Sequence, residues 1–165
     1  MADREVNNPG NAVPQMPEIL ERVLLYALDE GKNKMMTGEE LVPFTALVVR
    51  DSVFIEVHPG NTAEECFNLA QHTVEGARGA AAYAFCYDGY VETNEGVKDA
   101  LIAEGGVPGA SNGYAIGILY TVDANGAPVF NSNPSFIGEA PNFMDALRDA
   151  SEYQDTDIDM KYIEM

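Results

Sequence analysis

Residues 80–92, Ala-Ala-Ala-Tyr-Ala-Phe-Cys-Tyr-Asp-Gly-Tyr-Val-Glu, decide the fold. In a β-strand successive side chains point to opposite faces. The alternation therefore puts Tyr83, Phe85 and Tyr87 on one face and Ala82, Ala84 and Cys86 on the other. A strand with one small-residue face and one aromatic face is buried on at least one side, because a helix packs closely on the small face. Thr93-Asn94-Glu95-Gly96 follows as a three-residue hairpin loop with Gly in the left-handed position, and Val97 to Glu104 reads as the returning strand.

Working outward, residues 105–113 (GGVPGASNG) form a Gly-rich connection to a further strand, Tyr114 to Val122. Asp123-Ala124-Asn125-Gly126 repeats the turn chemistry before Ala127 to Phe130. Upstream, PFTALVV and VFIEV, interrupted by Arg50-Asp51-Ser52, read as another hairpin. Thr62 to Glu65 match a capping box that opens a helix running to about Ala77. An earlier helix begins at Pro17, with an apolar stripe at Leu20, Val23, Leu24, Ala27 and Leu28, and Gly31 is the expected stop. Asn142 is placed to cap a short last helix carrying Phe143, Ala146, Leu147 and Ala150.

Strands joined by tight turns pair antiparallel. The predicted class is thus α+β, in two layers, with a mainly antiparallel sheet of five to six strands and the helices packed on one face. Residues 1–16 read as an arm, 17–150 as one domain and 151–165 as an acidic tail. The order of elements is similar to profilin-like and roadblock-type domains by topology alone. Separately, Tyr87-Asp88-Gly89-Tyr90 followed by Asp99-Ala100-Leu101-Ile102-Ala103-Glu104 resembles a strand pair of uncharacterised bacterial proteins. That resemblance implies a bacterial cytosolic origin and no activity.

Nine Lys plus Arg face 27 Asp plus Glu, a formal net charge of −18. A field of that sign disfavours nucleic acid and anionic membrane surfaces, and it favours basic protein partners, cations or a small molecule. No apolar run approaches the ~18 residues of a membrane span, and no leader pattern opens the chain. The expected location is cytoplasmic, with the two cysteines, Cys66 and Cys86, reduced.

Four candidate sites compete with blander readings. Cys86 and Asp88 share a strand face about 6–7 Å apart, and His58, at a strand end, is the better placed of the two histidines to act as base. An Ala-lined face and an adjacent carboxyl argue instead for a buried, unreactive thiol. Asp155, Asp157 and Asp159 have the spacing that opens a calcium loop, but Met160 stands where that loop needs Gly, so a solvated tail is preferred and no metal is expected. Likewise, Glu92, Glu95, Asp99 and Glu104 read as a wet edge around the hairpin. The 105–113 loop joins two strands and lacks phosphate-loop residues, so it reads as a flexible connection and no cofactor is expected.

The fourth candidate is an interface built from Tyr83, Phe85, Tyr87, Tyr114 and Tyr120 on an exposed sheet face. The competing reading has the first helix or the terminal segments cover that face within one chain; the interface reading makes a non-enzymatic binding or assembly module, a homodimer, the favoured function. The alternative is a small-molecule sensor or enzyme with a pocket near Cys86, Asp88, His58 and the 105–113 loop.

Overall fold

The computed structural model describes residues 15–130 and 133–147. The expected arm, apart from residues 15–16, the acidic tail with Asp155, Asp157 and Asp159, and Ala150 lie outside the described residues. The elements in order are α1 (Glu18–Met36), β1 (Phe44–Val49), β2 (Ser52–Val57), α2 (Ala63–Glu75), β3 (Ala82–Thr93), β4 (Gly96–Gly106), β5 (Gly113–Val122), β6 (Pro128–Phe130) and β7 (Ser135–Ala140). They build one antiparallel, open sheet in the order β2-β1-β3-β4-β5-β6, with β7 also on β5. The α+β class holds, and the sheet has seven strands rather than five or six. β7 is the strand that sequence reading misses: Ser135-Phe136-Ile137-Gly138-Glu139-Ala140 is short and broken by glycine, so its alternation is weak.

The two faces of β3 dictate the layering. Ala82, Ala84 and Cys86 lie under α1 with Leu20, Leu24, Ala27, Leu101 and Ile116. Tyr83, Phe85 and Tyr87 lie on the other face with Ala70 and Val74 of α2 and with Phe143 and Met144. The helices therefore cover opposite faces, making three layers where the sequence predicts two. The reason is volume: the alanine row admits one helix at close range, and the aromatic row needs its own cover. Burying each of those large side chains contributes roughly 1.5–3 kcal/mol.

Gly31 is not the end of α1. The helix runs on to Met36, Thr37 is its C-cap and Gly38 (φ 88°) follows in the left-handed conformation. Gly31 instead marks the closest approach of helix to sheet, since a Cβ there would stand 2.9 Å from the Cys86 thiol. The predicted final helix is, over residues 143–147, a run of turns. Asn142 binds it locally: its Oδ1 accepts from the Met144 amide (2.9 Å), and its Nδ2 donates to the carbonyls of Val107 (2.9 Å) and Ala110 (2.7 Å). The 105–113 connection is thus tied down by a side chain from the C-terminal segment.

Candidate functional site

The three residues of the proposed thiol site are not brought together. Cys86 points to the α1 face, fully buried. His58 is buried at the end of β2, its Nε2 2.9 Å from the Thr45 hydroxyl. Thr45 is paired with Phe85, whose ring belongs to the α2 face. The sheet itself thus stands between the imidazole and the thiol. Burial, then Asp88, pushes the Cys86 thiol far up, with Lys34 opposing weakly, so the nucleophilic thiolate is disfavoured. Burial likewise lowers the His58 pKa, with Glu56 opposing.

Asp88 is half-buried and accepts a 2.6 Å hydrogen bond from the Tyr120 hydroxyl. Burial raises its carboxyl above the ordinary range, and that hydrogen bond opposes the shift. The Tyr120 phenol is itself pushed upward, by burial and then by Asp88, so the proton stays on the tyrosine. Across the sheet, Glu104 is fully buried and accepts a 2.6 Å bond from the Tyr87 hydroxyl. This corrects its assignment to a wet edge. Glu104 pairs with Phe85 in the β3–β4 register, inside the aromatic row, and only that register reveals it.

A cleft of about 250 Å³ lies where β1 begins and β3 continues past it. Its walls are the 40–43 segment, the 59–63 turn with the start of α2, and Phe85, Tyr87 and Asp88 of β3. Of the predicted pocket residues it includes Asp88; Cys86, His58 and the 105–113 loop do not line it. The helix end beside it is already capped. The Thr62 hydroxyl accepts from the Glu65 amide (3.1 Å), and Glu65 accepts from the Asn61 amide (2.8 Å).

Of the predicted interface residues, Tyr83, Phe85, Tyr87 and Tyr120 are buried within the chain and Tyr114 is partly buried. Tyr83 is buried against Phe143, its hydroxyl accepting from the Phe143 amide (2.9 Å) and donating to the Pro141 carbonyl (3.3 Å). Phe85 and Tyr87 are buried in the same layer. Tyr114 and Tyr120 lie on the opposite, α1 face, because the β3–β4–β5 register sets Tyr114 in the row of Ala84 through Gly105.

Exposed apolar surface gathers elsewhere, on β2. All six of its residues are exposed, Phe54 at 56% and Ile55 at 38%, with Val53 and Val57 beside them. Among the described residues β2 ends the sheet, paired on one side only, in six consecutive pairs with β1 and no irregularity. Its turn is a two-residue loop in which Arg50 takes a positive φ of 58°. The signal in the sequence is the run Val53-Phe54-Ile55, where no polar face alternates with the apolar one.

Among the described residues, no group of His, Cys, Asp and Glu side chains is arranged to hold a metal ion. No helix among them is long and apolar enough to cross a membrane. Comparison of the chain with protein-family models, with curated proteins and with solved structures finds no match.

Proposed function

We propose that this protein is a non-enzymatic cytosolic assembly module that associates with a second copy of itself through the β2 edge. The observation that carries this reading is the state of β2: an unbroken six-residue edge strand, exposed throughout, rich in apolar side chains, and among the described residues paired only with β1. An uncovered edge strand of this kind is a template for pairing with another chain. Its charge fits a second copy. Over residues 43–58 the charged groups are Arg50, Asp51 and Glu56, one positive against two negative, giving −1 in a chain of −18. Two like molecules repel least where each carries least charge. Cys66 and Cys86 lie unbonded, which fits a reducing compartment.

The test is the mass in solution, by light scattering, of the wild-type chain beside a Val53→Lys/Ile55→Lys variant. The expected result is a wild-type dimer and a folded monomeric variant, since lysines block edge pairing. A wild-type chain that stays monomeric at high concentration defeats the proposal.

The cleft supports a second reading, a small-molecule sensor, because it places the Asp88 residue and the Tyr87 ring beside about 250 Å³ of open space. Native mass spectrometry tests it: an extra mass that disappears on denaturation, and that Asp88→Asn loses, supports a ligand. No extra mass from cell-purified protein counts against it.

A further inference from the structure

We infer that two copies of this chain pair through β2 as antiparallel strands about a two-fold axis at Phe54, with Val53 of each copy opposite Ile55 of the other. This rests on the edge-assembly reading above and deepens it by fixing the register.

The backbone phase of β2 comes first. The His58 amide donates to the Pro43 carbonyl (2.8 Å), extending the β1–β2 pairing one step past Phe44–Val57. Backbone groups in a strand alternate in direction. Ser52, Phe54 and Glu56 therefore turn their N–H and C=O groups toward β1, as His58 does, while Val53, Ile55 and Val57 turn theirs outward. β1 shows the same phase from its far side. Val48, opposite Val53, gives its carbonyl to the Ala81 amide (2.8 Å), away from β2.

Pairing with a second copy must join outward-facing residues to outward-facing residues. That condition excludes the register setting Phe54 opposite Ile55. Two registers keep most of the strand: an axis at Phe54 or an axis at Ile55. With the axis at Ile55, each Phe54 ring stands directly opposite a Glu56 carboxylate. The axis at Phe54 sets Val53 against Ile55, Phe54 against Phe54, and the Ser52 hydroxyl against Glu56. Every apolar side chain from 53 to 55 then meets an apolar one, and the carboxylate meets a donor. Cross-strand pairs of like character are what fix a sheet register. The resulting interface is self-complementary, as a two-fold dimer requires.

Phe54 on the axis forms a non-hydrogen-bonded pair, where Cα atoms approach to about 4.5 Å, within the reach of a disulfide. The test is oxidation of the full-length Phe54→Cys and Ile55→Cys proteins, with wild type as the control for Cys66 and Cys86, both buried. The expected result is a covalent Phe54→Cys dimer, with Ile55→Cys crosslinking at least about ten-fold more slowly, because its own counterpart lies two residues off. A mixture of Val53→Cys and Ile55→Cys keeps Phe54 and is expected to give the mixed disulfide. Rapid crosslinking of Ile55→Cys without Phe54→Cys overturns the inferred register and leaves edge assembly standing. A wild type that is monomeric by native mass overturns both.

Discussion

β2 and the β6–β7 pair end the same sheet, and they treat their free edges in opposite ways. β6 has three residues and opens on Pro128, which has no N–H to offer. β7 is broken by a register shift between Ala115 and Ile116 of its partner and carries Gly138 at φ 155°. Its apolar residues Ile137 and Ala140 are turned into the core, and Ser135 and Glu139 face out. Short strands, proline, bulges and outward charge are the devices that keep an edge from pairing. β2 uses almost none of them. It runs without a register shift, carries Val53, Ile55 and Val57 on one face and Phe54 between Ser52 and Glu56 on the other, and its single charge, Glu56, accepts from the Thr73 hydroxyl of α2 (3.4 Å). The contrast teaches that this chain can protect an edge and, among its described residues, leaves one open.

The comparison breaks most sharply with proline. Ile55→Pro deletes an outward N–H and leaves the β1–β2 ladder whole, so the dimer Kd is expected to rise more than about 100-fold while the monomer stays folded. Phe54→Pro deletes an inward N–H and is expected to destabilise the fold itself by about 3 kcal/mol. Sedimentation equilibrium and thermal melts separate the two effects. Equal behaviour of the two variants would mean that the edge has no outward role. Transplanting one guard, Val53→Lys, is expected to weaken the dimer about ten-fold, or ~1.4 kcal/mol. Removing a guard from the other end, Glu139→Ile, should leave the mass unchanged and shift stability by less than about 0.5 kcal/mol.

Acid should distinguish the edges as well. His58 is held neutral at the end of β2, with a folded pKa below the unfolded value near 6.5. Stability from that site is complete above the unfolded value and is lost as pH falls toward the depressed folded one. Protection of the β2 amides, with the intrinsic exchange rate divided out, is therefore expected to fall between pH 7 and 5 ahead of protection in β7. Asp88 works in the opposite sense. Its raised pKa means that protonation on acidification favours the folded state, so the loss belongs to the His58 end. The smallest expected effect is ionic. Two chains of −18 repel, so raising salt from low to physiological strength should tighten the dimer a few-fold.

Much of the fold is legible in the chain. The alternation at Tyr83–Tyr87, the capping box at Thr62–Glu65 and the turns after Val49 and Thr93 are local signals, and local physics sets them, although the second turn has two residues, Asn94–Glu95, where the sequence suggests three. What fails is whatever register decides. Nothing near Tyr114 in sequence says that it shares a face with Ala84, and nothing near Glu104 says that it lies beside Phe85 under the aromatic layer. The aromatic row of β3 is buried within the chain for that reason, and not exposed as the sequence suggests. The cover of Tyr83, Phe85 and Tyr87 includes Phe143 and Met144, about sixty residues away, and Phe143 is pinned by the Tyr83 hydroxyl. Cys86 and Asp88 were readable as face neighbours, whereas the separation of His58 from them required knowing on which side of β1 Thr45 stands. The run Val53-Phe54-Ile55 is visible in the sequence, but its place at the sheet edge follows from strand order, which a lone sequence does not encode locally.

The most direct test of β2 as the assembly surface is hydrogen exchange of its individual amides at two protein concentrations. The Val53 and Ile55 amides are expected to be protected when the protein is concentrated and to exchange freely on dilution, with the Phe54 amide protected in both. Free exchange of Val53 and Ile55 at every concentration, beside a protected Phe54, would contradict the pairing of β2 with a second copy.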